Sequence, residues 1–210
     1  MTNASRQAAE KLLKLKAVKL QPEQPFTWAS GWKSPIYCDN RKILGFPYYR
    51  DYFKSELCNL VFTEFGEADL VAGVATAGIS WGALVADQLK LPFAYVRPKP
   101  KDHGMGNQIE GHYEPGMKAV VVEDLVSTGK SSLMAAEVLQ KAGIEVIGMV
   151  AIITYGFPQA EKAFAQSGIR LLTLSDYNAL IEEAALHNYV ASDQLEVLRQ
   201  WREDPENWKI

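Results

Sequence analysis

A chain of 210 residues, 48% hydrophobic and 22% charged, is long enough for one large globular domain with a small appendage. Its net charge of −3 and the lack of a dense basic stripe exclude a nucleic-acid footprint. Cys38 and Cys58 are too few and too far apart for a disulfide framework or a zinc site, so they read as reduced thiols of a cytosolic protein.

Met1 to Lys19 carries a Lys/Leu pattern rather than a charged start and an apolar core, which does not read as a signal peptide. No apolar run is long enough to cross a bilayer. The expectation is a soluble, cytoplasmic protein. Residues 3 to 18 predict an amphipathic helix with Ala8, Leu12, Leu15 and Val18 on one face and Lys11, Lys14 and Lys16 solvated, ended by Pro22 and Pro25. From Phe26 to Arg41, aromatic and β-forming residues flank a Ser30-Gly31 turn, the pattern of two short strands in a hairpin.

Pro47 to Phe65 predicts a helix burying Phe53, Leu57, Leu60 and Val61. Asp69 to Val74 reads as a buried strand. Ala75-Thr76-Ala77-Gly78 is a small-residue turn into a helix at 79–89, suited to contact with an anion or to close βα packing. Leu91 to Val96 is the next strand. It runs into a segment, Arg97 to Gly111, whose three cations, histidine and three glycines cannot make a core element and predict a mobile basic loop.

The organising stretch is Val120 to Ser132. A β-branched run leads into Glu123-Asp124 at its carboxyl end, a polar turn follows, and Leu133 to Leu139 reads as a helix: strand, turn, helix, as in the opening of a βαβ unit. Ser127, Thr128, Gly129, Lys130 and Ser131 then sit at a helix N-terminus, where free N–H groups and the positive dipole end suit a phosphate. Two carboxylates beside such a turn suit a ribose diol, with or without Mg²⁺. Gly129-Lys130-Ser131 is not the end of a P-loop, which needs a glycine where Asp124 stands, and no dinucleotide fingerprint follows the strand. After the Lys141-Ala142-Gly143 stop come strands at 146–154 and 169–174 and helices at 159–166, 176–186 and 193–202, with Trp201 and Trp208 as packing aromatics. Strands alternating with helices from Asp69 onward predict a largely parallel sheet covered on both faces.

Val120 to Ser132 resembles the 5-phosphoribosyl 1-diphosphate (PRPP) signature of type I phosphoribosyltransferases: a hydrophobic strand, two acidic residues and a Ser/Thr/Gly-rich loop. Ser30-Gly31-x-x-Ser34-Pro35-x-Tyr37 resembles the N-terminal hood of the orotate phosphoribosyltransferase family. Tyr37-Cys38-Asp39-Asn40-Arg41 is similar to its form in one bacterial branch, and Arg97-x-x-x-Lys101-x-His103-Gly104 to the family's catalytic loop. The three motifs stand in the family's order over nearly the whole chain.

The resemblance implies an α/β fold, a largely parallel twisted sheet with helices on both faces, with an N-terminal helix and hood at 1–46 and a phosphoribosyltransferase core at 47–210. It implies transfer of the phosphoribosyl group from PRPP to orotate in pyrimidine synthesis. Glu123, Asp124, Leu125, Val126, Ser127, Thr128, Gly129, Lys130 and Ser131 would bind PRPP, Ser127 would also touch orotate, and Ala75 to Gly78 would meet pyrophosphate. Arg97, Lys101, His103 and Asp124 would be catalytic. Mg²⁺ would be held mainly by PRPP, with Asp124 the protein carboxylate considered for it. Family members are homodimers whose loop reaches the neighbouring site.

Three lysines of the better-known form are Ala29, Ala77 and Pro98 here, and no arginine stands around Thr154-Tyr155-Gly156. These departures leave open what binds the orotate carboxylate; Arg41 and hood N–H groups are the candidates expected for it, with Tyr37 expected beside the base. A phosphoribosyltransferase for another base would keep the PRPP signature without this hood and loop. The acidic charge balance argues against an RNA-binding relative, and Lys101 and His103 argue against a non-enzymatic PRPP sensor.

Overall fold

The computed structural model describes residues 2–28, 30–100 and 107–208. Thr2 caps α1 (Asn3–Lys14) by accepting the Ser5 N–H at 3.2 Å, a contact worth about 1 kcal/mol. The helix stops well before Pro22. Lys16 takes a left-handed backbone (φ 52°), Ala17 N–H returns to the Leu12 carbonyl, and β1 (Val18–Leu20) begins. Val18 therefore belongs to a strand.

The hairpin forms from β2 (Phe26–Thr27) and β3 (Lys33–Ser34), with Thr27 directly opposite Lys33. A third hood strand, β4 (Ile36–Cys38), pairs antiparallel with β1. Three-residue strands are too short for their alternation to register in a sequence. A 3-10 segment, Asn40–Gly45, leads to α2 (Pro47–Glu64), which buries Phe53, Leu57, Cys58 and Val61 and leaves Leu60 half-buried.

The core then alternates: β5 (Leu70–Val74), α3 (Ala77–Leu89), β6 (Phe93–Val96), β7 (Ile109–Gly111), β8 (Lys118–Val126), α4 (Lys130–Lys141), β9 (Glu145–Thr154), α5 (Pro158–Ser167), β10 (Leu171–Asp176), α6 (Tyr177–Leu186) and α7 (Gln194–Glu203). Among the described residues the central sheet runs β10-β9-β8-β5-β6-β7, parallel except for the edge strand β7. That edge strand falls inside the stretch predicted to be all loop. β8 also runs further than predicted, pairing with β9 as far as Val126, so Glu123 and Asp124 lie within the strand rather than at its end.

Strict alternation along β8 splits its side chains between two cores. Val120 and Val122 join Val71, Val150 and Ile152 under α1, α2, α3 and α6, while Ala119 and Val121 join Leu70, Ala72 and Met149 under α4. Burial on both faces explains the near-continuous apolar sequence. The chain leaves β5 for β6 on one side and returns to β8 on the other. The carboxyl ends of β5 and β8 thus flank the crevice where open α/β sheets take their ligands.

Candidate active site

At the end of β8 the Val126 carbonyl accepts both the Tyr155 N–H (3.0 Å) and the Thr154 hydroxyl (3.1 Å). Val126 itself is fully buried, so its side chain is out of a ligand's reach. The chain turns at Gly129, whose φ of +78° is a conformation glycine adopts without cost. A Cβ there would also meet Phe164 at 3.0 Å. No side chain caps α4 at this end, and the first helical bond runs from Leu133 N–H to the Gly129 carbonyl. The N–H groups of Lys130, Ser131 and Ser132 thus have no intrahelical acceptor. Ser127 and Thr128 are half-buried, and Lys130 and Ser131 are exposed. The segment is an open anion cradle.

Beside it, Glu123 is 5% exposed and turned inward. Its Oε1 accepts the Asp124 N–H at 3.0 Å and its Oε2 lies 3.4 Å from the Ser132 hydroxyl. Burial pushes its carboxyl well above the carboxylate range, and the charge of Asp124 adds to this. Burial raises Asp124 too, against hydrogen bonds from Glu123 and main-chain N–H groups and the charge of Arg41. Asp124 is the more accessible acid.

The turn after β5 comes up against this pair. A Cβ on Gly78 would lie 2.5 Å from the Val122 carbonyl and 3.5 Å from Glu123 Oε1. Only glycine lets α3 start this close to β8, so Ala75 to Gly78 and the acids share one crevice.

On the other side the hood closes a cavity of about 340 Å³ lined by Thr27, Trp28, Tyr37, Cys38, Leu125, Ser127 and Tyr155. Trp28 stacks on Tyr155 (centroids 5.6 Å apart, 20° between planes) and stands edge-on to Trp201, and Trp201 Nε1 donates to the Lys33 carbonyl at 3.0 Å. Tyr37 is half-exposed at the rim. Arg41 is mostly exposed and paired with Asp39 at 2.7 Å. Thr27, Trp28 and Tyr155 were not singled out by sequence. Trp28 precedes the hood turn and Tyr155 lies in the arginine-free stretch Thr154 to Gly156, but an aromatic lining a cavity looks like any core aromatic until the fold is known.

Arg97, at the carboxyl end of β6, exchanges hydrogen bonds with Gln108 across the base of the loop: its N–H to the Gln108 carbonyl (2.8 Å) and Gln108 Nε2 to its own carbonyl (3.1 Å). Its Nη1 lies 3.7 Å from Glu110. Lys101 and His103 lie outside the described residues. A larger cavity, about 460 Å³, lies along α5, walled by Phe164, Ile169 and Leu171 and lined by neither Glu123 nor Asp124.

Among the described residues no three His, Cys, Asp or Glu side chains gather to hold a metal. A pair of carboxylates with one accessible member fits Mg²⁺, which is usually bound through one or two carboxylates and a substrate's phosphates.

The sequence profile of the phosphoribosyl transferase domain matches residues 57–175. A protein named orotate phosphoribosyltransferase from Bacteroides fragilis is 56% identical over 209 residues, covering 100% of this chain and 99% of that protein. One of the same name from Cytophaga hutchinsonii is 55% identical, covering 99% of each. Among solved structures, the orotate phosphoribosyltransferase of Aeropyrum pernix matches with a TM-score of 0.76 at 31% identity, over 85% of this chain and 98% of that one.

Proposed function

The chain belongs to the phosphoribosyl transferase family, and on that premise we propose that it is an orotate phosphoribosyltransferase. It would join the phosphoribosyl group of PRPP to orotate, giving orotidine 5′-monophosphate and pyrophosphate in pyrimidine synthesis. The observation that carries this reading is the shared position of Ser127, which belongs to the anion cradle and also lines the hood cavity. A base in that cavity lies next to a ribose whose phosphate rests on the cradle.

The residues divide the work. N–H groups and hydroxyls from Ser127 to Ser131 take the 5′-phosphate, and Leu125 and Val126 shape the strand end before them. Asp124 takes ribose hydroxyls. Glu123, held on Ser132 and the Asp124 N–H, supports that strand end. Tyr37, Arg41 and Ser127 frame orotate. As the bond from C1 to pyrophosphate breaks, positive charge grows on the ribose and negative charge on the leaving group. Arg97, Lys101 and His103 would stabilise the latter while the loop excludes water. Asp124 would be the protein carboxylate to hold Mg²⁺ beside the substrate's phosphates, and the ion would supply further neutralisation of that charge.

The functional division is then a helix and hood (1–46) over a catalytic core (47–210). We infer a cytoplasmic homodimer in which each protomer's loop serves its neighbour. No helix among the described residues is long and apolar enough to cross a membrane, which is compatible with that setting.

The test is loss of orotate absorbance on adding PRPP and Mg²⁺, with uracil, hypoxanthine and adenine in parallel. Consumption of orotate alone is expected. Turnover of another base in its place would overturn the orotate assignment, and PRPP binding without turnover of any base would favour a sensor.

A further inference from the structure

Orotate carries a ring carboxylate, yet the cavity assigned to it holds no cation in its wall. Its lining is Thr27, Trp28, Tyr37, Cys38, Leu125, Ser127 and Tyr155, and the nearby acid Asp124 makes the cavity less hospitable to an anion. An anionic base needs a compensating charge at the rim.

Three hood cations adjoin that wall. Lys19 stands opposite Tyr37 but makes no side-chain hydrogen bond to a wall residue among the described residues. Arg41 is already engaged, its Nε donating to Asp39 Oδ1 at 2.7 Å. Lys33 is placed differently. It faces Thr27 across the hairpin, and its Nζ donates to Thr27 Oγ1 at 2.8 Å, one hydrogen bond from the cavity wall. Its backbone is fixed by the bond from buried Trp201 to its carbonyl. No carboxylate pairs with Lys33 among the described residues. Its charge is held in place by a neutral hydroxyl and is available to an incoming anion.

The geometry points to Lys33 as the residue that recognises the carboxylate of the base, with Thr27 positioning its ammonium. This rests on the orotate reading above. It gives the hairpin a selective role, since a pyrimidine without the carboxylate gains nothing from Lys33.

Steady-state kinetics of Lys33→Met, Lys33→Arg, Thr27→Val and Arg41→Ala would test it, with uracil as a competitor of orotate. Loss of one charge-assisted contact should raise the orotate KM about tenfold or more in Lys33→Met. Thr27→Val should show a smaller rise and Lys33→Arg a partial rescue. The PRPP KM should stay within about twofold, and the uracil inhibition constant should not move. An unchanged orotate KM would overturn the assignment. So would a matching rise for uracil, which would reduce Lys33 to a hairpin-shaping role, or a larger orotate effect in Arg41→Ala. A wild-type chain that does not consume orotate would remove the premise, an outcome distinct from all of these.

Discussion

Asn40 donates its side-chain Nδ2 to the main-chain carbonyl of Asp124 at 2.8 Å, across 84 positions of sequence. Asn40 is fully buried, and its Oδ1 accepts the Cys38 thiol at 3.3 Å. One amide thus ties a wall of the base cavity to the strand that carries the acids. Asn40→Ala leaves a buried carbonyl without its side-chain donor, at a cost of about 1–3 kcal/mol. The urea midpoint should fall with little change in slope, and the orotate KM should rise as the hood loosens. A wild-type midpoint would show that the hood is held by its aromatic contacts alone.

Gly129 answers to two constraints at once, a left-handed backbone and the ring of Phe164 3.0 Å from where a Cβ would sit. Gly129→Ala should therefore lose about 1–2 kcal/mol and raise the PRPP KM by roughly an order of magnitude as the cradle is distorted. Adding Phe164→Ala relieves the contact but not the backbone, so the double variant should not regain PRPP affinity. Wild-type PRPP kinetics in Gly129→Ala would mean that the turn does not hold the phosphate.

What the sequence made legible follows from period and length. Val120 to Val122, β-branched at every position and followed by a polar turn, read as a buried strand, and Gly129 and Gly143 marked turns that the structure places at positive φ. The short pieces were not legible. β4 and β7 each have three residues, and their pairing depends on partners far along the chain, Val18 to Leu20 and Ala94 to Val96. The site followed the same rule. The cradle is contiguous and could be read directly, whereas the cavity draws Thr27, Cys38, Leu125 and Tyr155 from separate elements that only the fold assembles.

Burial raises Glu123, with the charge of Asp124 adding, and it raises Asp124 as well, so the folded chain holds protons on this pair more tightly than the unfolded chain. Below the ordinary carboxylate range, about pH 4, both states are protonated and the pair favours neither. As pH rises through that range the unfolded chain loses its protons first, and stability falls until the folded pair has titrated too. Glu123→Gln removes the larger part of this effect. Its stability relative to wild type should shift in the variant's favour from pH 4 to 8, read from urea unfolding at each pH. A difference that does not vary with pH would mean that the pair is ionised in the fold as it is in water.

Cys38 lines the base cavity, yet burial holds its thiol well above the usual range, with the charges of Asp124 and Asp39 adding to the effect. Burial pushes Cys58 up to about 11. Because the thiolate is the reactive form, iodoacetamide at pH 8 should label both residues slowly and faster as pH rises. The two should part on adding orotate, which ought to slow labelling of Cys38 and leave Cys58 unchanged, with loss of activity tracking Cys38. Peptide mapping of the labelled chain reads both sites in one experiment. Rapid labelling of Cys38 at pH 7 would contradict the desolvated thiol, and labelling indifferent to orotate would remove the base from this cavity.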